Sequence, residues 1–194
     1  MIQEDGATSR NPGRPRSETL RQAILDAAFQ LEREYGYSEV TYQQIADTAH
    51  VGRQTIYRWW PTKSDLYFEL LTSLLLQAAT TINVEKIGLE AYLCALFKIV
   101  RDEVGSITIG LFMDGQSSPE MLNRLRQTLA KRRELLASVI ERFAAERQQQ
   151  FTVPLTVVID MLVGPMWYRV LLGYDSLSDS LAHDLTLAAE KLLD

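Results

Sequence analysis

Cysteine, histidine and long apolar runs are all scarce in this chain of 194 residues. The single Cys94 excludes a disulfide within one chain and a cysteine-based zinc site, and two histidines leave little material for any other metal site. Ten glycines and six prolines exclude collagen-like and low-complexity classes. No uninterrupted apolar run approaches the ~20 residues that span a bilayer, and the N-terminus lacks the apolar core of a secretory signal. We therefore expect a soluble, cytoplasmic protein with no membrane span, no metal and no cofactor.

Acidic residues outnumber basic ones, 25 to 20, but the charges are unevenly placed. Between Arg10 and Arg21 four arginines accompany one glutamate, and between His50 and Lys63 three basic residues occur without an acid. From residue 66 onward the chain is acidic, with twelve basic and sixteen acidic residues. An acidic body with two local basic patches is typical of a protein that touches phosphate groups on one surface.

Apolar residues recur at steps of three and four along the chain, which is the spacing of amphipathic helices. A first helix is predicted from Ser17 to Gly36, where glycine suits a left-handed cap. Thr41 and Thr62 have capping-box partners three residues later and predict two further helix starts. Later helices are expected over about 88–104, 107–115, 119–148, 152–172 and from a Ser176 cap to the C-terminus. No segment alternates convincingly at period two, so the sequence predicts an all-α protein.

The segment TYQQIADTAHVGRQTIYRWWPTK, from Thr41 to Lys63, predicts two short helices joined by a tight turn. This arrangement suits a helix-turn-helix. If Val51 and Ile56 pack between the helices, the second helix exposes side chains that read base edges or hold phosphates, namely Arg53, Gln54, Thr55, Tyr57 and Arg58. A lysine in the first turn of a helix opposes the helix dipole, so the position of Lys63 is sensible if it faces a DNA phosphate.

These residues resemble the DNA-binding domain of TetR-type transcriptional regulators, which have the pattern V-x-[KR]-x-T-[LI]-Y-x-x-[FW]-P-[ST]-K. The matching residues are Val51, Arg53, Thr55, Ile56, Tyr57, Trp60, Pro61, Thr62 and Lys63. The preceding segment 23–49 is also similar, and 164–173 resembles a C-terminal stretch of one subgroup. The resemblance implies a homodimer with a variable helical domain that binds a small effector. We accordingly divide the chain into a flexible basic arm at 1–16, a helix-turn-helix domain of three helices at 17–62, and a helical effector-binding and dimerisation domain at 63–194.

Two positions depart from the family pattern. His50 occupies the turn position that usually has glycine, so it requires a positive φ, which histidine adopts at some cost. Gln54 occupies a position where a small residue is common, and it gives the second helix one more side chain for a base contact.

Two other parts of the DNA-binding region admit alternative interpretations. The run from Gly13 to Arg16 either enters a minor groove or is a basic tail with nonspecific attraction. Trp60 is expected to anchor the core, whereas Trp59 either packs or contacts the sugar-phosphate backbone. The candidate DNA-binding residues are therefore Thr41, Arg53, Gln54, Thr55, Tyr57, Arg58, Lys63, Arg14 and Arg16.

The C-terminal region contains candidates for an effector cavity and for a dimer interface. Five large residues either line a ligand cavity or form plain core: Phe97, Phe112, Met113, Met166 and Trp167. The basic residues Arg124, Arg126 and 131–133 are interpreted as a solvated helix face. The helix over 155–172 is apolar on more than one face, and the last helix adds a leucine stripe that includes Leu177, Leu181 and Leu185. Because the resemblance implies a four-helix interface, we expect these leucines in the contact of a C2 homodimer.

The leading hypothesis is a homodimeric transcriptional repressor that a small molecule of unknown identity releases from a double-stranded DNA operator. A constitutive DNA-binding protein without an effector is the alternative. An enzyme is not expected, since the sequence contains no nucleophile–base pair, metal cluster or phosphate-binding loop.

Overall fold

The computed structural model describes residues 14–174 and 176–194, with side chains from residue 18 onward. This part of the chain forms nine α-helices and one π-helical segment, and its only strand-like feature is an isolated bridge between Phe151 and Leu193. The helices are α1 (Arg14–Tyr35), α2 (Tyr42–Thr48), α3 (Arg53–Trp59), α4 (Lys63–Thr81), α5 (Leu89–Ile99), the π segment (Val100–Val104), α6 (Gly105–Gly115), α7 (Pro119–Ala145), α8 (Leu155–Leu172) and α9 (Asp179–Glu190). The all-α prediction is confirmed.

The first three helices and the start of α4 share one apolar core. Its fully buried side chains include Ile24, Ala28, Ile45, Ile56 and Leu66. These residues recur at helical spacing within each element, so each short helix turns one face inward. The helices α2 and α3 are only seven residues long and therefore depend on this packing for their stability.

The helix ends follow the local signals in the sequence. Capping boxes are formed at both Thr41 and Thr62, as predicted. Gly36 follows α1 with φ of 81°, and His50 has φ of 54° in the turn between α2 and α3. The turn therefore accepts histidine in the left-handed region, as the sequence required.

The helix α1 begins at Arg14, whereas the sequence placed its start at Ser17. Residues 14–16, which the sequence assigned to a flexible arm, therefore belong to a helix. Residues 1–13 lie outside the described part of the chain.

The helix α4 joins the two halves of the molecule. The Tyr67 hydroxyl donates to the carbonyl of Ala28 in α1 at 3.1 Å, and Leu71 is fully buried. Further along α4, the carbonyl of Leu75 accepts from the guanidinium of Arg132 in α7 at 2.9 Å. The helix also packs on α6. The proposed division after residue 62 therefore falls at the first residue of an element that both halves share.

The larger half consists of α5 to α9. The π segment carries α5 directly into α6, where the sequence predicted a break between two helices. Ser118 caps α7 with Pro119 at its first position, as predicted. The cap of α9 is Ser178 and not Ser176, because the Ser178 hydroxyl accepts from the backbone N–H of Leu181.

The helix α8 is apolar on its outer face as well as its inner face. Its inner side chains, including Ile159 and Met166, are buried. On the opposite side Met161, Tyr168 and Leu171 are exposed. The 18 residues of α8 have a mean hydropathy of 1.5. By length and composition alone the helix could cross a membrane, and 22% of it is buried within the chain. The prediction that this helix needs cover on two sides agrees with these exposures.

The leucine stripe expected in the dimer contact packs largely inside its own chain. Leu177, just before α9, is only 4% exposed, and Leu181 and Leu185 are half-buried against the core. Leu177 is therefore not free to meet a partner, because it is buried within its own chain. The exposed leucine of α9 is Leu187.

Candidate nucleic-acid interface and interior cavity

The outer face of α3 carries four exposed polar side chains. Arg53, Gln54, Tyr57 and Arg58 are exposed, while Ile56 points into the core. Within the part of the chain that the structure describes, Arg53 and Gln54 have no hydrogen-bond or ion-pair partner. This is the arrangement predicted for a helix that enters a major groove, since such side chains read base edges.

Tyr57 and Arg58 are held in place by neighbouring aromatic rings. The Tyr57 ring meets the edge of Tyr42 with centroids 4.8 Å apart, yet 51% of Tyr57 remains exposed. The Arg58 guanidinium lies 5.9 Å from the centre of the Trp59 ring. Both side chains therefore leave their polar ends free while their orientations are restricted, which favours phosphate contact.

Trp60 fixes α3 to α4. Its side chain is buried, and its indole N–H donates to a carboxylate oxygen of Glu69 at 2.9 Å. The Tyr42 hydroxyl donates to the Trp60 carbonyl at 2.9 Å. Trp60 is thus the core anchor that the sequence predicted, and Glu69 is a supporting residue that sequence reasoning missed. The second carboxylate oxygen of Glu69 lies 2.7 Å from the Arg21 guanidinium.

Lys63 has a different environment from the one predicted. Its ammonium donates to the carbonyls of Tyr37, Ser38 and Val40 at 2.9, 3.2 and 3.3 Å, and it lies 4.7 Å from the centre of the Tyr37 ring. All three ammonium hydrogens are therefore used by the loop between α1 and α2, and none remains for a phosphate. Burial lowers the pKa of Lys63, opposed by the negative charges of Asp114 and Glu39. We accordingly assign Lys63 to holding this loop.

The remaining candidate DNA-binding residues differ in their exposure and in their contacts. Thr41 is exposed, but its hydroxyl already serves the capping box of α2. Thr55 is partly buried on α3. Arg14 and Arg16 lie in the first turn of α1, and their side chains lie outside the described part of the structure. Their placement in a minor groove stays a prediction.

A cavity of about 380 Å³ lies between α4, α5, α6, α7 and α8. Its wall is mostly aliphatic and includes Met166 and Trp167, two of the five residues proposed from the sequence. Phe97 is buried elsewhere in the core. Phe112 and Met113 are 46% and 60% exposed, because the cavity meets only the first turn of α6, at Thr108. Phe97, Phe112 and Met113 therefore do not line this cavity.

Three arginines of α7 also lie on the cavity wall: Arg126, Arg132 and Arg133. The sequence had assigned them to a solvated helix face. Arg133 is paired with Asp160 of α8 at 2.6 Å, whereas Arg132 is half-buried and has no carboxylate partner among the described residues. Burial raises the pKa of Tyr92 on the same wall, and the positive charge of Arg132 opposes that rise.

The two halves of the molecule meet at a compact polar junction on α6. The Asp114 carboxylate accepts from the hydroxyls of Tyr37 and Ser64, both at 2.6 Å. Burial raises the pKa of Tyr37 well above its ordinary value, and the hydrogen bond to Asp114 adds to that rise. A Cβ on Gly110 would lie 2.3 Å from the Tyr37 ring, so only glycine permits this approach. These contacts hold α6 against the loop between α1 and α2 and against the first turn of α4, and they connect it to the DNA-binding half, called the small domain below.

Two family models match separate parts of the chain. Residues 24–70 match the model described as bacterial regulatory proteins of the tetR family, and residues 88–189 match the tetracyclin repressor-like C-terminal domain. The chain belongs to the TetR family of transcriptional regulators. The family assignment made from the residues at 51–63 is confirmed, and with it the expectation of a DNA-binding regulator and not an enzyme.

Curated relatives and solved structures agree with this assignment. The chain is 32% identical over 184 residues to an uncharacterised HTH-type transcriptional regulator, YdeS, of Bacillus subtilis, with 92% of each chain covered. It is 25% identical over 169 residues to the regulator Rv1556 of Mycobacterium tuberculosis, covering 85% of this chain and 81% of that one.

Two solved structures share the fold of this TetR-family chain. A TetR regulator from Haloarcula marismortui superposes with a TM-score of 0.71 at 21% identity, covering 91% of this chain and all of the other. FadR from Bacillus subtilis, solved in complex with stearoyl-CoA, superposes with a TM-score of 0.67 at 16% identity, covering 87% and 96%. At these identities the likeness concerns the fold alone.

Proposed function

We propose that this regulator is a cytoplasmic, homodimeric repressor that leaves its operator when a small apolar molecule enters the cavity. The observation that carries the proposal is the connection of two sites by one helix. Thr108 of α6 lines the cavity, and Asp114 of the same helix bonds to the small domain. The two residues are six positions apart, about 9 Å along the helix.

The DNA contact is assigned to α3. Arg53 and Gln54 reach base edges, while Tyr57 and Arg58 contact phosphates on either side. The support is their exposure together with the absence of internal partners for Arg53 and Gln54 in residues 18–174 and 176–194. Thr41 and Thr55 are assigned phosphate contacts at the edge of the same face.

The dimer contact is assigned to the outer face of α8 and to the exposed side of α9. On α8 the exposed residues Val157, Met161, Gly164, Tyr168 and Leu171 follow one another at steps of four and three, which makes one continuous stripe. An apolar stripe of this length favours a partner helix over water. A C2 axis through the stripe pairs it with itself and presents two α3 helices to successive major grooves, ~34–36 Å apart.

Ligand response is assigned to a displacement of α6. A molecule in the cavity presses on the π segment and on the first turn of α6, which in turn carries the Asp114 junction. The ligand lowers DNA affinity only if it binds more tightly to the conformation that fits DNA poorly. The coupling free energy between two such sites is commonly ~1–3 kcal/mol.

Selection of bound DNA from a random library tests the proposal. We expect an inverted repeat whose half-sites are centred about one helical turn apart, with weaker recovery when an effector is present. Recovery of a single half-site, or of DNA without sequence preference, contradicts the proposal.

The DNA affinity of Asp114→Asn, measured with and without an effector, tests the coupling between the cavity and the DNA-binding site. This variant keeps a hydrogen-bonding side chain but loses the charge that holds Tyr37 and Ser64. We expect ligand binding to persist while its effect on DNA affinity falls. Asp47→Asn, an exposed carboxylate change on α2, is the control and should leave the ligand response intact.

The alternative of a constitutive DNA-binding protein would be favoured by the absence of a closed apolar cavity in the helical domain. A cavity of about 380 Å³ bounded by five helices argues against it.

A further inference from the structure

The cavity wall combines an aliphatic lining with positive charge and no negative charge. No aspartate or glutamate is among the described residues that line it, whereas three arginines of α7 are. Two further polar groups, the hydroxyls of Tyr92 and Thr108, also belong to the wall. Among the described residues, the charged side chains of the cavity wall are therefore all positive.

The three arginines are not equally available. Arg133 is held by Asp160 and by the carbonyl of Thr156. Arg132 donates one N–H to the carbonyl of Leu75 and keeps its full charge without a carboxylate partner in the described residues. Arg126 is exposed and makes no hydrogen bond or ion pair within residues 18–174 and 176–194. Among the described residues Arg132 and Arg126 are thus the two arginines of this wall without a carboxylate partner, whereas Arg133 has one.

The Thr108 hydroxyl is not free in the same way, because it donates to the carbonyl of Val104 at 2.7 Å. The Tyr92 hydroxyl makes no hydrogen bond to the described residues, although the tyrosine is buried. Because Tyr92 lines the cavity, this hydroxyl is available to bond a ligand oxygen or water at its end of the cavity.

From this arrangement we propose that the effector is an anionic amphiphile: an apolar body in the aliphatic part of the cavity and a carboxylate or phosphate held by Arg132 and Arg126. This proposal rests on the effector-binding function proposed above and names its ligand class. A guanidinium binds either anion through paired N–H donors, so the shared chemistry is an anionic group with adjacent oxygens. A cation is disfavoured because nothing on the described wall neutralises it.

The size of the cavity limits the apolar body. A molecule of water occupies roughly 30 Å³ in the liquid, so about 380 Å³ holds roughly a dozen non-hydrogen atoms. Decanoate and decyl phosphate match this size, and decanol and decylamine have the same chain with a neutral and a cationic end.

Calorimetric titration of the full chain with these four compounds tests the proposal. We expect decanoate or decyl phosphate to bind roughly tenfold or more tightly than decanol, since a hydrogen bond to a charged group exceeds a neutral one by about that factor. Decylamine should bind most weakly. The comparison of decanoate with decyl phosphate decides which anion the site prefers.

Substitutions on α7 separate charge from packing. Arg132→Gln and Arg126→Gln should each remove part of the preference for the anion while leaving the affinity for decanol unchanged. Arg126→Gln disturbs no internal contact among the described residues. Arg132→Lys should retain part of the preference. Lys131→Gln removes one charge from the same helix at an exposed position off the cavity wall and should change nothing.

Two results would overturn the proposal. One is decanol or decylamine binding as tightly as both anions, and the other is Arg132→Gln and Arg126→Gln weakening decanol as much as the anion. The proposed function is judged separately, by DNA affinity. If the anions bind with the expected preference but leave DNA affinity unchanged, the release mechanism fails and the ligand class stands. If only a different class of compound releases the DNA, the ligand class fails and the regulator stands.

Discussion

The role of Lys63 can be decided by replacing it with methionine. The sequence placed this ammonium against a DNA phosphate, whereas the structure gives its three donors to carbonyls of the loop between α1 and α2. Methionine keeps the apolar stem and removes the charge, so the two roles predict different losses.

The expected loss is one of stability. A hydrogen bond from a charged group contributes roughly 1.5–3 kcal/mol. The three bonds share one ammonium, and water can reach the carbonyls once it is gone, so we expect a total of about 2 kcal/mol and not a multiple of it. For a chain of this size that corresponds to a melting temperature lower by roughly 4–8 °C.

The expected salt dependence follows from the same contacts. A lysine on a phosphate contributes about 0.9 to the slope of log K against log salt for each contact. Because Lys63 has no free donor, Lys63→Met should leave that slope unchanged while the melting temperature falls. Arg58→Gln is the matched comparison and should flatten the slope with little effect on melting. A flatter slope with unchanged melting in Lys63→Met would refute our assignment and restore the phosphate contact.

Three further substitutions test other parts of the molecule. Arg53→Ala should relax the preference at one base position per half-site by about 1–3 kcal/mol in a binding selection, and uniform weakening at all positions would instead mean a backbone contact. Met161→Arg places a charge on the exposed stripe of α8 and should give a monomer in sedimentation, whereas Gln127→Arg, an exposed change on α7, should not. Gly110→Ala forces a Cβ against the Tyr37 ring and should cost ~1–3 kcal/mol in unfolding experiments, while Gly88→Ala, with nothing near its Cβ, should not be destabilised by contact.

The DNA-binding half was largely predictable because its signals are local. The capping boxes, the left-handed turn at His50 and the buried Ile56 each depend on residues within one turn of helix or one tight turn. Local signals of this kind can be recognised without knowing the rest of the fold. The exposed side chains of α3, which we propose contact DNA, follow from the same pattern, since a residue on α3 that does not face the core faces outward.

The position of Lys63 was not predictable in this way. Its partners are carbonyls 23 to 26 residues earlier in the chain, and backbone acceptors leave no trace in side-chain identity. The helix-dipole argument correctly indicated that the lysine needs a negative partner, but a loop carbonyl meets that need as well as a phosphate does.

The cavity was less predictable still, because its wall comes from five helices between Leu75 and Trp167. Helical periodicity identifies which residues of α6 share a face, but it does not say how far along the helix the cavity extends. Phe112 and Met113 were misplaced for that reason. The arginines of α7 were misplaced because a long cationic side chain at a helix surface can also lie along an apolar wall.

Substitutions in the cavity can change the ligand without changing the proposed DNA-binding residues, because the two sites consist of different residues. The residues proposed to contact DNA occupy one short segment. Those that line the cavity belong to other helices, of which α4 contacts α1 and α6 bonds to the loop after α1. Exchanging Arg132 or Arg126 for an apolar residue changes the charge of the cavity and touches neither Asp114 nor α3. The class of molecule that acts on the protein can therefore alter while the DNA sequence it reads stays the same, provided that α6 continues to link the cavity to the small domain.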